Sequence, residues 1–276
     1  MQFTMADLQA MRAGLLPPDS VQSLDDCLAA VERLGFLWAF TPAPGYLPAL
    51  FTALKTESDG QRWEWVWGWK DRLAAERLAF YGKVVRGKPT LVSREWLPLF
   101  YALTGNTGDL EDDLLHLRES GRVPEQAVKV VHYLQEYGPT GTRTLQAKLT
   151  DGTKESKVGL NQALFYLDNA MLIVKSGAEG GNSIANIWDL FTNFWPDAVD
   201  AGSAIPTREA AERLLLRFFT LTPVIQEKGL DELFPWGEAW QKKQIAHLRE
   251  AGDLVSCKLE GKPAVAWRAA VEAFRS

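Results

Sequence analysis

Lys157, Asn161 and Gln162 lie along one segment of the chain, and Lys242 and Lys243 stand together in another. Each segment also carries apolar residues at helical spacing: Leu160, Ala163, Leu164 and Leu167 in the first, Trp240, Ile245 and Leu248 in the second. The apolar stripe must face a core, so the polar residues fall on the opposite, solvated face. An Asn or Gln amide can pair bidentately with adenine, and a Lys ammonium can serve guanine or phosphate. That is chemistry of recognition rather than bond breaking. The same residue types decorate any solvated helix, so the elements around them decide their meaning.

Those elements repeat. Val85-Arg86-Gly87-Lys88-Pro89-Thr90-Leu91-Val92 has a near copy in Leu259-Glu260-Gly261-Lys262-Pro263-Ala264-Val265-Ala266, and a degenerate version surrounds Ile173-Val174-Lys175-Ser176-Gly177. Gly87, Gly177 and Gly261 recur at about 85 to 90 residues, the length of a small helical module. Each hairpin follows a helical segment, and helix, strand, turn, strand is how a winged helix ends. The third helix of such a unit enters a major groove about 12 Å wide while the wing meets phosphate. Lys88, Lys175, Lys258 and Lys262 stand on the three wings. The expected fold is mainly α with small β-hairpins, built as three tandem winged-helix-like modules over 1–108, 109–200 and 201–276.

Local signals place the elements. Ser23 caps a helix over Leu24 to Leu34 that Gly35 closes. Pro42, Pro44 and Pro48 mark a loop before a helix from Tyr46 to Leu54, and Ser58-Asp59-Gly60 reads as a turn. A third helix is expected over Lys70 to Tyr81, a hairpin over Val84 to Val92, and then a helix capped by Ser93 and running to Leu103. The second module runs from Pro124, with Gly138-Pro139 stopping its first helix, Thr144 to Leu149 its second and Lys157 to Asn169 its third. Its wing turns over Gly177 to Asn182, with the second strand from Ile184 to Trp188. After a linker at Ala201 to Pro206, Glu209 to Phe219, Leu230 to Leu233 and Trp236 to Glu250 are the third module's helices.

Trp63, Trp65, Trp67 and Trp69 alternate with other residues, and as a strand they would line one face with four indoles. Such a face can stack unpaired bases, but these platforms come with interleaved Lys or Arg, and here Glu64, Val66 and Gly68 intervene. A packing ribbon between modules is the plainer expectation. His116, His132 and His247 lack the spacing of metal ligands, and no nucleophile elbow, phosphate loop or dinucleotide fingerprint occurs. The acidic Asp109-Leu110-Glu111-Asp112-Asp113 run fits a linker and the start of a helix, where carboxylates favour the macrodipole. No metal or cofactor is expected.

Across 276 residues, 46% are hydrophobic and 24% charged, an ordinary globular balance with room for two or three small domains. A formal charge of −5 counts against tight nonspecific DNA binding, because neutralised phosphates supply most of that affinity. The wings are nevertheless basic. Cys27 and Cys257 stand too far apart in the chain for a zinc motif and suit core thiols in a reducing cytoplasm. No export signal and no spanning apolar run is read from the chain, so a cytoplasmic protein with no membrane partner is expected.

Val31-Glu32-Arg33-Leu34-Gly35-Phe36-Leu37-Trp38-Ala39-Phe40, followed by Pro44-Gly45-Tyr46-Leu47, resembles the N-terminal segment of the AlkZ (YcaQ-like) DNA glycosylases. Arg86 to Pro98, Arg213 to Phe219 and the Gly261 wing are similar to later parts of that family, so the pattern extends over roughly residues 24 to 268. The resemblance implies tandem winged helices and double-stranded DNA as partner. In the family a Gln-x-Gln or Gln-x-Asp pair positions a water against the sugar, and Trp38 and Phe40 stand at those positions here. An indole and a phenyl ring cannot take a water proton or stabilise an oxocarbenium-like sugar. The family also continues into a C-terminal β domain that helps hold the duplex, and part of that grip is expected to be missing from a chain ending at Ser276. DNA binding without the family's N-glycosylase mechanism is therefore expected. The alternatives are a glycosylase using Glu95, His132 or Asp25, a transcription regulator, and a protein-binding module.

Overall fold

The computed structural model describes residues 1–41, 46–119, 121, 124–179 and 186–275. The prolines expected to open a loop at 42 and 44, and the second wing's tip over 180–185, lie outside the described residues. A short β1 (Gln2–Phe3) and α1 (Met5–Arg12) precede α2 (Leu24–Leu34). Ser23 Oγ accepts from the Asp26 N–H, and Gly35 ends α2 at φ +77°, as the sequence predicts. A Cβ at Gly35 would stand 2.8 Å from the Trp96 indole. Gly35→Ala therefore combines a left-handed backbone with overpacking and should cost about 3 kcal/mol in urea denaturation.

β2 (Phe36–Trp38), α3 (Leu50–Ala53) and α4 (Asp59–Ala75) lead to the hairpin β3 (Ala79–Val85) and β4 (Lys88–Ser93). Three expectations change here. The helix expected over Tyr46 to Leu54 shortens to α3, because residues before it run beside β2: the Trp38 N–H donates to the Pro48 carbonyl at 3.0 Å and Trp38 bridges Ala49. The helix expected over Lys70 to Tyr81 is instead the end of α4, a left-handed turn at Arg77 (φ +56°) and the start of β3. The tryptophan run is not a strand. It lies within α4, which starts where Ser58 Oγ accepts from the Gln61 N–H, so Ser58 is a helix cap rather than part of a turn.

α5 (Leu97–Thr104) begins three residues later than a cap at Ser93 implies, since Ser93 still pairs with Ala79 across the hairpin. The acidic run opens α6 (Leu110–Glu119): Asp109 Oδ1 accepts from the Glu111 and Asp112 N–H groups, while buried Asp113 accepts from the N–H and hydroxyl of Thr107 and from the Gly108 N–H. α7 (Glu125–Tyr137), α8 (Thr142–Leu149), α9 (Lys154–Asn169), β6 (Ile173–Ala178) and β7 (Asn186–Leu190) follow the predicted order, with an additional short β5 (Thr140–Gly141) after α7. Gly177, however, pairs with Ile187 beside a β-bulge in β6. It is not a turn counterpart of Gly87 and Gly261.

α10 (Phe191–Phe194) precedes α11 (Pro196–Ser203), whose last residues take up the start of the linker expected from Ala201 to Pro206, and α12 (Thr207–Leu221) and β8 (Val224–Gln226) come next. No helix forms near Leu230 to Leu233; turns run there until α13 (Glu238–Glu250), followed by β9 (Leu254–Leu259), β10 (Lys262–Trp267) and α14 (Arg268–Arg275). Buried Gln241 fixes those turns, accepting from the Phe234 N–H at 3.2 Å and donating to the carbonyls of Phe234 and Trp236. Trp240, expected inward, is 37% exposed because Gln241 and Ile245 take the inner positions.

Among the described residues, three small sheets have the orders β2-β4-β3, β5-β7-β6 and β1-β9-β10-β8. In each, the strand after the hairpin turn lies between its hairpin partner and a strand that follows an earlier helix. The two short turns carry positive φ at both central residues, Arg86 and Gly87 in one and Glu260 and Gly261 in the other, the geometry that suits the twist of a two-residue hairpin.

One hydrophobic core joins elements from the N-terminal and C-terminal thirds, and a second gathers residues between Leu114 and Leu190. Polar ties reinforce the first. Arg86 donates to the Gly229 carbonyl at 2.9 Å, Arg217 donates to the carbonyls of Leu34 and Arg33, and β1 pairs in parallel with β9. Both thiols are buried, and burial pushes Cys27 up to about 12 and Cys257 to about 11. The folded protein should thus resist a thiol reagent at pH 8, and urea should release both sites to labelling.

Candidate nucleic-acid interface

The sequence-predicted residues fall on separate elements. On α9, Leu160, Ala163, Leu164 and Leu167 are buried and leave Lys157, Asn161 and Gln162 exposed. Val158, Phe165 and Tyr166 share that outer face and, with Asn161 and Gln162, line an open depression of about 410 Å³. On α13, Lys242 and Lys243 are exposed, but differently engaged. Lys242 is held 2.6 Å from Glu238, whose hydrogen bond and charge raise the Lys242 pKa. Lys243 rests 4.5 Å above the Trp240 ring, beside Arg208, Glu212, Gln244 and His247 in a cavity of about 520 Å³.

The wing lysines divide in the same way. Lys88, Lys258 and Lys262 are exposed. Lys258 sits on β9 between Pro263 and Gln2, and Lys262 starts the return strand opposite Leu259. Lys175 is half-buried, 2.7 Å from Asp168 of α9 and 5.3 Å above the Trp188 ring. Its charge is spent inside the protein, which makes it a poor phosphate ligand compared with the other three.

Trp38 and Phe40 have unlike settings. Trp38 is 1% exposed within β2, opposite Thr90, and its indole N–H reaches no acceptor among the described residues. Phe40 lies partly open at the end of that strand, 5.5 Å from the Trp63 ring and 5.3 Å from the Trp67 ring. Neither ring brings a proton acceptor to the position. Glu95 lines a cavity of about 510 Å³ with Arg77, Arg94 and Trp195 among others; Asp25 is exposed in the first turn of α2; and His132 is exposed on α7, 3.7 Å from Glu111.

One cluster was not anticipated. Lys70 is buried on α4, where Asp71 pairs with its ammonium group and the rings of Trp67 and Tyr81 lie 4.4 and 4.9 Å away. Burial lowers the Lys70 pKa against the opposing pull of Asp71, and burial pushes Tyr81 up to about 12. The signal available in the sequence was Ser58-x-x-Gln61, which marks a helix start. Once α4 is helical, its three- and four-residue spacing brings Trp67 and Lys70 to the same side as β3.

These features define a class: a mainly helical protein with three small sheets, whose polar outer helices precede hairpins. The sequence matches the family model described as AlkZ related over residues 21–235, and the chain belongs to that family. No curated protein matches the sequence. Among solved structures, the chain is similar to the Streptomyces sahachiroi DNA glycosylase AlkZ, at 17% identity and a TM-score of 0.60, over 100% of this chain and 73% of that one. That likeness shows a shared fold. No helix among the described residues is long and apolar enough to cross a membrane.

Proposed function

We propose that this protein binds double-stranded DNA through three tandem winged-helix units, over 1–108, 109–200 and 201–276, without the standard glycosylase reaction of its relatives. The order helix, strand, helix, hairpin recurs three times, with a second helix before the hairpin helix in the first two. This order supports reading α9 and α13 as recognition helices, which in a winged helix precede the hairpin. The observation that carries the reading is the exposure of Lys157, Asn161 and Gln162 on α9 and of Lys243 on α13, in a family whose solved relative is named a DNA glycosylase. Lys88, Lys258 and Lys262 supply phosphate contacts. Catalysis by the polar-pair mechanism is absent from this reading because Trp38 is buried and Phe40 is packed against tryptophans.

A protein-binding role stands second, favoured by the apolar Val158, Phe165 and Tyr166 on the outer face of α9. The deciding experiment is equilibrium binding to a duplex of about 25 base pairs at about 50 and 200 mM salt, together with an assay for free base released from alkylated DNA. Binding that weakens with salt and no base release are expected. No binding at the lower salt overturns the reading, and base release returns the protein to the glycosylases.

A further inference from the structure

The tryptophans of α4 form two pairs. Trp65 and Trp69 stack on each other at 4.8 Å and pack against the core, whereas Trp63 and Trp67 are 47% and 52% exposed. The exposed pair is held by neighbours. Phe40 lies within 5.5 Å of both, and Phe51 lies 4.6 Å from Trp63. Rings locked in this way lose little freedom when a flat ligand covers them. Two cations sit against the same rings but are already paired: Arg62 lies 5.6 Å over Phe51 with Asp59 at 3.5 Å, and buried Lys70 lies 4.4 Å over Trp67 with Asp71 on its ammonium group. Lys83, exposed two residues after Tyr81 on β3, has no ion pair among the described residues.

We propose that Phe40, Trp63 and Trp67 form a platform on which an unpaired base of a nucleic-acid strand stacks, with Lys83 beside its phosphate. Flat half-exposed indoles, with exposed Lys83 on the strand that packs against α4, suit a nucleobase, whose π-face stacks whatever its sequence and whose strand is anionic. This rests on the DNA-binding reading and deepens it by naming the form of DNA preferred.

The test compares the full chain with its Trp63→Ala/Trp67→Ala variant on three probes: a paired duplex, the same duplex with an unpaired thymidine bulge, and an oligothymidine. Stacking of one base should strengthen binding of the bulged duplex by roughly 10-fold or more over the paired one, and should quench tryptophan fluorescence. The variant should lose both effects and keep its affinity for paired duplex. Equal affinity for paired and bulged probes, or a preference that survives in the variant, overturns the platform while leaving duplex binding intact. Binding to oligothymidine alone, lost in the variant, keeps the platform and overturns the duplex reading. No binding to any probe overturns both, and self-association abolished in the variant assigns the face to a second copy instead.

Discussion

Reversing two charges, Lys157→Glu and Lys243→Glu, should weaken duplex binding on the order of 100-fold at about 50 mM salt. Each lysine that meets a phosphate releases counterions, and reversal replaces that gain with repulsion. The dependence of log affinity on log salt should also flatten, by roughly 0.9 for each phosphate no longer neutralised. Lys157 and Lys243 are the informative positions because both are exposed and neither has a carboxylate partner among the described ion pairs. Lys242→Glu should act less, since Glu238 already neutralises Lys242 in the free protein. Lys175→Ala should change stability more than affinity, because it strips Asp168 of its partner. Electrophoretic mobility shifts at several salt concentrations would measure the changes in affinity, and urea denaturation the change in stability.

Gln241→Leu should destabilise the fold by about 3 kcal/mol, read from the urea midpoint at unchanged slope. The substitution keeps side-chain bulk but removes the amide that joins α13 to the turns before it. The Phe234 N–H and the Phe234 and Trp236 carbonyls then lose this partner, and a buried polar group left unpaired costs roughly 1 to 3 kcal/mol. Gln241→Glu should restore only acceptance from the Phe234 N–H and place a carboxylate against two carbonyls, so it should be at least as harmful. A loss below about 1 kcal/mol for Gln241→Leu would show that the turns are held by packing of Leu233 and Phe234 alone.

The sequence was most readable where one local signal acted without competition. Ser23 and Gly35 bounded α2, and Gly138 ended α7, because caps and left-handed glycines act over a few residues. The Arg86-Gly87 and Glu260-Gly261 turns were legible from their repeat, since a two-residue hairpin turn of the kind with positive φ at both central positions favours Gly at the second. The same logic misled at Gly177, which matches them in spacing but lies within a strand. The tryptophan run misled for another reason. Its alternation has period two, yet Trp63 with Trp67 and Trp65 with Trp69 are also four apart, so the pattern fits both a strand and a helix. The cap at Ser58 decides between them.

The family was legible from Leu34-Gly35-Phe36-Leu37 and its surroundings, but the environment of the site was not. Phe40 meets Trp63 and Trp67 from beyond a loop, and Arg86 meets Gly229 across 143 residues. No periodicity reports such contacts. Nor does charge type reveal commitment: Lys175 and Lys262 read alike in the sequence, but only Lys175 is paired to an aspartate and covered by a wing tryptophan.

Hydrogen exchange of the full chain, with and without a paired duplex, tests most directly whether the proposed faces bind DNA. Protection should appear over 154–169, 238–250 and the hairpin strands carrying Lys88, Lys258 and Lys262, and should fade as salt rises. Unchanged exchange over both α9 and α13 in the presence of bound duplex would contradict the assignment of these helices as the recognition surface.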